Sequence, residues 1–272
     1  MKPLRALVLA IVLLTEGVSV ATAQDYDKGL EAAQSGDFQT ALQEWRPLAE
    51  QGDADAQKDL GVMYFTGQGV TQDYDEAVKW YRLAAEQGNV AAQSNLAEMY
   101  YKGQGVPQDF DEAARWLQLV AKDGSAPAQY NLGQMYQDGK GVPQSDAEAV
   151  VWYGLAAEQG NADAQSKLGF MYLNEVGVLQ NLAEAAKWLR LAAEQGNADA
   201  QINLGVMYSN GDGVLQSNVM AHMWYDIASA NGHSEADELR DERAGLMASA
   251  DVSKAQQMAR ECITSDYQKC SW

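Results

Sequence analysis

Between residues 54 and 232 the apolar positions follow a pattern that changes little from one stretch to the next. In the first stretch Ala56, Leu60 and Tyr64 stand four apart, on one face of a helix predicted from Ala54 to Phe65. Gly67-Gln68-Gly69-Val70 then interrupts the pattern, because glycine readily takes the left-handed backbone that ends a helix. A second helix opens at Asp73, a residue type whose side chain caps the first turn, and carries Ala77, Trp80 and Ala84 at i, i+3 and i+7. That spacing predicts a tryptophan packed between helices. Gly88 ends this helix, and Asn89 is placed to cap the next one. The predicted cycle is helix, glycine turn, helix, glycine turn.

The cycle has a period of 36 residues. Trp80, Trp116, Trp152, Trp188 and Trp224 keep it, as do Leu60, Leu96, Leu132, Leu168 and Leu204. A fixed period in this range predicts an all-α solenoid of stacked helix-turn-helix units rather than one closed core. The units fall at residues 53–88, 89–124, 125–160, 161–196 and 197–232, with 24–52 as an N-terminal capping repeat and 233–272 as C-terminal capping helices. Asp109, Ser145, Asn181 and Ser217 repeat the capping position, and Glu76, Glu112, Glu148 and Glu184 complete a capping box that Met220 breaks in the last unit. The fourth unit carries Glu175 where the others have glycine. A distorted turn is expected there, with Asn174 supplying the left-handed residue; recognition and drift are both open as its meaning.

The ends depart from the repeat. In the first unit Trp45 aligns with Tyr81 rather than Trp80, and Pro47 is expected to kink or loosen its second helix. After Gly232 the sequence predicts terminal helices over Glu235–Met247 and Ser253–Cys262. Cys262 and Cys270 are the only cysteines. On one helix they would lie about 12 Å apart, too far for a disulfide, which tolerates under about 7 Å between Cα atoms. A cystine therefore needs a chain reversal, placed at Thr264-Ser265-Asp266; unpaired thiols are the other reading.

Residues 1–23 read as a secretory signal. Lys2 and Arg5 precede an apolar run from Ala6 to Leu14, and Ala21-Thr22-Ala23 offers a small-residue cleavage site. The run is too short for a bilayer span, which needs roughly 20 residues. Of 19 Lys and Arg and 38 Asp and Glu, this segment takes Lys2, Arg5 and Glu16, leaving 17 against 37 and a net charge of −20. Such acidity argues against nucleic acid and anionic membrane surfaces as partners. The expectation is a periplasmic or secreted protein, not inserted in the membrane after cleavage.

The string Ala-x-Ala-Gln-x-x-Leu-Gly-x-Met-Tyr-x-x-Gly-x-Gly-Val, followed by Ala-x-x-Trp-x-x-x-Ala-Ala-x-x-Gly, resembles the Sel1-like repeat, a relative of the tetratricopeptide repeats, in five copies over residues 54–232. The resemblance implies a right-handed superhelix that holds other proteins, with the first helix of each unit lining the concave side. Exported members of the family act as adaptors in envelope signalling or as factors in host interaction.

On that concave side the candidate partner-binding residues are Asp59, Asn95, Glu98, Asn131, Gln134, Lys167, Phe170 and Asn203, which vary while the scaffold repeats. Ordinary solvated surface is the other reading. Asn95, Asn131 and Asn203 stand out, since amides at regular spacing can grip an extended peptide backbone. The ladder Gln57, Gln93, Gln129, Gln165 and Gln201 reads as structural bracing. Catalysis finds no support: His222 and His233 have no ligand cluster around them, and no nucleophile with base and orienter can be assembled. No cofactor or metal is expected. The anticipated role is an adaptor whose groove grips a protein segment, with Lys or Arg favoured in the partner. A cell-wall or β-lactam-acting hydrolase is the rival.

Overall fold

The computed structural model describes residues 25–268 and 270; the signal expected over 1–23 lies outside them. Among the described residues the chain forms fourteen helices and no strand. A cap of α1 (Tyr26–Gln34) and α2 (Phe38–Glu50) is followed by five helix pairs: α3 (Ala54–Thr66) with α4 (Tyr74–Glu86), α5 (Val90–Lys102) with α6 (Phe110–Lys122), α7 (Ala126–Asp138) with α8 (Asp146–Glu158), α9 (Ala162–Asn174) with α10 (Leu182–Ala193), and α11 (Ala198–Asn210) with α12 (Asn218–Ala230). Then come α13 (Ala236–Ala244) and α14 (Ser249–Thr264). From α1 to α13 each helix packs on the next along the chain, α14 packs on α12, and first helices of neighbouring pairs also approach each other, α3 with α5 and α9 with α11. The closer approach of first helices places them on the inner layer.

Within each pair a small residue lets two helices close. A methyl group on Gly61 would stand 2.4 Å from the ring of Tyr81, and one on Gly205 would stand 2.5 Å from Tyr225. In the cap, Gly29 meets Trp45 in the same manner, so Trp45 does the work of Tyr81. Trp116 and Trp224 are buried. Trp80, Trp152 and Trp188 are half-buried, each leaning onto the core cluster of the unit before it.

The glutamine ladder braces the stack. Gln57 Nε2 donates to Ala49 O at 3.0 Å, and Gln93, Gln129, Gln165 and Gln201 repeat the bond to Ala85, Ala121, Ala157 and Ala193. Each satisfies a carbonyl that the end of the preceding helix leaves without an intrahelical partner.

Three expectations need correction. The capping boxes are half-formed: Asp73 accepts from Glu76 N at 3.0 Å, but its own N–H donates to Tyr64 O, and the Glu76 carboxylate pairs with Lys79. Met220 breaks nothing, since its backbone N–H suffices for Ser217. The turn at Glu175 is undistorted. Glu175 itself, not Asn174, takes the left-handed conformation at φ 58°, and Val176 N donates to Met171 O at 3.0 Å as Gln104 N does to Met99 O. Helix α2 runs through Pro47 to Glu50.

At the C-terminus α14 continues to Thr264, and the chain reverses through left-handed Asp266 and Tyr267. This brings Cys262 and Cys270 to 4.8 Å between Cα atoms, joined as a disulfide. Tyr267 then donates to Asn231 Oδ1 at 2.9 Å, fixing the tail to the end of α12.

Candidate functional site

The inner layer opens at the second and third repeats. Between α5 and α7, over the middle of α6, lies a cavity of about 500 Å³. Its floor is apolar, made by Ala97, Ala113, Leu117, Ala128 and Met135. Asn95, Glu98, Tyr101 and Lys102 form one rim, and Pro127, Asn131, Gln134 and Asp138 the other. One repeat earlier the same place is nearly closed. There Phe65, Tyr81, Asn95, Glu98 and Met99 stand where Tyr101, Leu117, Asn131, Gln134 and Met135 stand in the cavity, and the space is about 40 Å³.

Two local differences accompany it. The first is the floor residue. Tyr81, Tyr153 and Tyr225 fill the corresponding space in the first, third and fifth repeats, each against a glycine. The second repeat pairs Ala97 with Leu117 instead. The Ala97 methyl occupies ground that a tyrosine ring would need, and leucine is the shorter filling. In the fourth repeat Leu189 lies directly over Gly169 and is fully buried, so leucine alone does not make a cavity.

The second difference is in the ties between repeats. Arg46, Arg82 and Arg190 each reach the tyrosine hydroxyl 18 positions on, Tyr64, Tyr100 and Tyr208. Asn89 and Asn197 donate to Asp55 and Asp163 at 2.9 Å, and Gln87, Gln159 and Gln195 donate to the ladder glutamines Gln57, Gln129 and Gln165. In the second repeat and at its junction with the third these positions hold Asp123, which would pair within the repeat, and Gln118 and Ser125 opposite Ala91, which would reach across; none of the three ties forms, and the third–fourth junction, with Gly154 and Pro127, lacks the two that reach across as well.

Four of the sequence-predicted residues meet at this cavity: Asn95, Glu98, Asn131 and Gln134. Asn95 is engaged with the Tyr81 hydroxyl, whose pKa burial raises and whose bond to the Asn95 amide pulls it back. Glu98 pairs with Lys102, and Gln134 Nε2 donates to the Tyr130 hydroxyl at 3.0 Å. Asn131 is exposed and bonds to no other side chain. The remaining four lie outside. Asp59 is bound by the cap, accepting from Tyr26 at 2.7 Å and pairing with Lys58. Asn203 turns back onto Asp199 O at 2.9 Å. Lys167 is half-buried, and Phe170 is 43% exposed, without a cavity beside it.

Sequence reasoning missed Ala97, Leu117 and Tyr101. The signal was present in the 36-residue register, where Leu117 replaces tyrosine and Ala97 replaces glycine in the same unit. Among the described residues there is no group of three or more metal-ligating side chains, and no helix is long and apolar enough to cross a membrane. His222 is buried beside Asp226, with Nδ1 to Oδ2 at 3.2 Å, on α12 of the fifth repeat and far along the chain from the cavity.

The Sel1 repeat signature matches residues 54–89, 90–125, 126–161, 162–197 and 198–233. Among solved structures, a protective antigen present in uropathogenic Escherichia coli strains, displaying an SLR fold, is 32% identical with a TM-score of 0.74. The match covers 89% of this chain and 57% of that one, so the chain spans little more than half of that protein's length. A Sel1 repeat protein from Oxalobacter formigenes is 28% identical with a TM-score of 0.74, over 87% of this chain and 99% of that one. Comparison with curated proteins returns no match.

Proposed function

The chain belongs to the Sel1 repeat family, in general a non-catalytic scaffold fold that binds protein partners, and from that premise we propose that it is an exported adaptor whose inner surface grips a protein segment at the α5–α7 cavity. The observation that carries the reading is the cavity of about 500 Å³ at this interval against about 40 Å³ at the equivalent place one repeat earlier. An apolar floor with a few polar groups at the rim is the usual make-up of a recognition site. The acidic chain, net −20 after residues 1–23, favours a partner segment carrying Lys or Arg, drawn in by long-range attraction and released by salt. Residues 1–23 supply the export signal and a periplasmic or secreted destination. The likeness to a protein described as a protective antigen favours the same side of the membrane and keeps a host-facing role as a second reading.

The test is site-specific photocrosslinking in the native organism, with the reactive side chain at Asn131 and, as control, at Leu215, which is 89% exposed on the far turn of the fifth repeat. A single adduct at Asn131, absent at Leu215 and lost in Asn131→Lys/Gln134→Lys, is expected. Equal adducts at the two positions would overturn the reading. So would turnover of peptidoglycan or a β-lactam by the purified chain, which the hydrolase reading requires.

A further inference from the structure

We infer that the α5–α7 cavity is a slot for one aromatic side chain, tyrosine first, presented by the partner segment in place of the tyrosine that the second repeat lacks. The inference rests on the proposed binding role of the inner surface and specifies what enters it.

The sister repeats display the occupant. Tyr81, Tyr153 and Tyr225 lie between the inner helices with their rings buried. Each phenol tip meets a polar side chain: the Asn95 amide for Tyr81, Gln137 Oε1 at 3.0 Å for Tyr153, and the Ser209 hydroxyl at 3.1 Å for Tyr225. The fold thus provides apolar walls for a ring at a fixed place in each repeat; the polar group at the tip comes from the following repeat for Tyr81, and from the position equivalent to Tyr101 for Tyr153 and Tyr225. In the second repeat the walls remain, but the chain's own residue stops at Leu117. Asn131 stands 36 residues after Asn95, at the position equivalent to the one that receives the Tyr81 phenol, and has no partner. An incoming phenol finds the apolar floor of Leu117 and Met135 beneath the ring and the free Asn131 amide at its tip. Such a residue, apolar in body with a polar tip, is the common anchor of protein interfaces.

Ala97 keeps the slot open to an outside ring and closed to an inside one. A methyl group at the equivalent Gly61 would come within 2.4 Å of the Tyr81 ring, so a tyrosine at 117 needs glycine at 97. The double variant Ala97→Gly/Leu117→Tyr therefore rebuilds the first-repeat arrangement and fills the slot with the chain's own ring.

The experiment pans a displayed library of random dodecapeptides against the chain and measures the selected peptides on the wild type, on the double variant and on Asn131→Lys. Selected peptides are expected to share one aromatic position. Its change to alanine, and the double variant, should each weaken binding at least tenfold, while the double variant melts no lower than wild type. Peptides that bind the double variant as well as the wild type, yet fail on Asn131→Lys, would overturn the slot and leave the binding surface standing. Failure of the wild type to select any peptide above background would overturn the two together. Should the double variant unfold, the alanine series in the peptides decides the question on the unaltered protein: undiminished binding after loss of every aromatic residue sinks the slot.

Discussion

The amide oxygen of Gln93 is buried and receives no hydrogen bond, because Asp123 stands where a donor is needed. The same place 30 residues beyond a ladder glutamine is held by Gln87, Gln159, Gln195 and Asn231, and each donates to the glutamine before it. An ionised carboxylate has only acceptors to offer. Asp123→Gln should supply the missing donor and raise stability by about 1 kcal/mol, the net worth of one hydrogen bond to a buried acceptor. Calorimetry at pH 7 checks it; an unchanged or lowered midpoint would show that Gln93 is satisfied by other means.

The junction between the second and third repeats lacks both the arginine and the asparagine tie, and local opening follows weak connections. Amide exchange should be faster in α6 and α7 than in α10 and α11, where Arg190–Tyr208, Asn197–Asp163 and Gln195–Gln165 are in place. Ala91→Asp with Ser125→Asn rebuilds one tie and should slow exchange at that junction alone. Uniform exchange across the five repeats would contradict this.

Glu175 and Gly177 share one turn but differ in tolerance. The first turn position needs only a left-handed backbone, which costs a side-chain-bearing residue roughly 1–2 kcal/mol, so Glu175→Gly should stabilise the protein by about 1 kcal/mol. The second position abuts the preceding repeat, where a methyl group on Gly177 would lie 2.4 Å from the Asp146 carbonyl carbon. Gly177→Ala should cost more than about 2 kcal/mol, strain and overpacking together. Thermal melts of the two variants are expected to move in opposite directions.

Burial raises the pKa of Glu194, and Arg190 only partly offsets it. The folded state therefore holds this proton more tightly than the unfolded chain does, and ionisation opposes folding above the unfolded value of about 4.3. Glu194→Gln should melt higher than wild type at pH 7, with the gap closing as the pH falls through 5 toward 4. A gap independent of pH would assign the effect to packing.

Much of this molecule was legible in the residues. The alternation of Leu60–Tyr64 helices with Ala77–Trp80 helices, the capping residues and the glycine stops are local signals, each read within one turn of chain, and repetition in register multiplied them. Half of the candidate site was legible as well, because Asn95, Glu98, Asn131 and Gln134 follow from helical spacing alone. Distances between helices do not follow from it. Asp59 has the right spacing but is consumed by Tyr26 of the cap, a partner that only the packed chain brings near, and Asn203 turns back onto Asp199 O within its own helix. The cavity itself depends on a leucine for tyrosine and an alanine for glycine, neither of which changes the pattern of apolar and polar positions. Periodicity determined what repeats, since secondary structure is set by neighbours along the chain; tertiary structure decided where the repetition parts, since that gap is the sum of contacts made or missed between residues 14 to 36 positions apart.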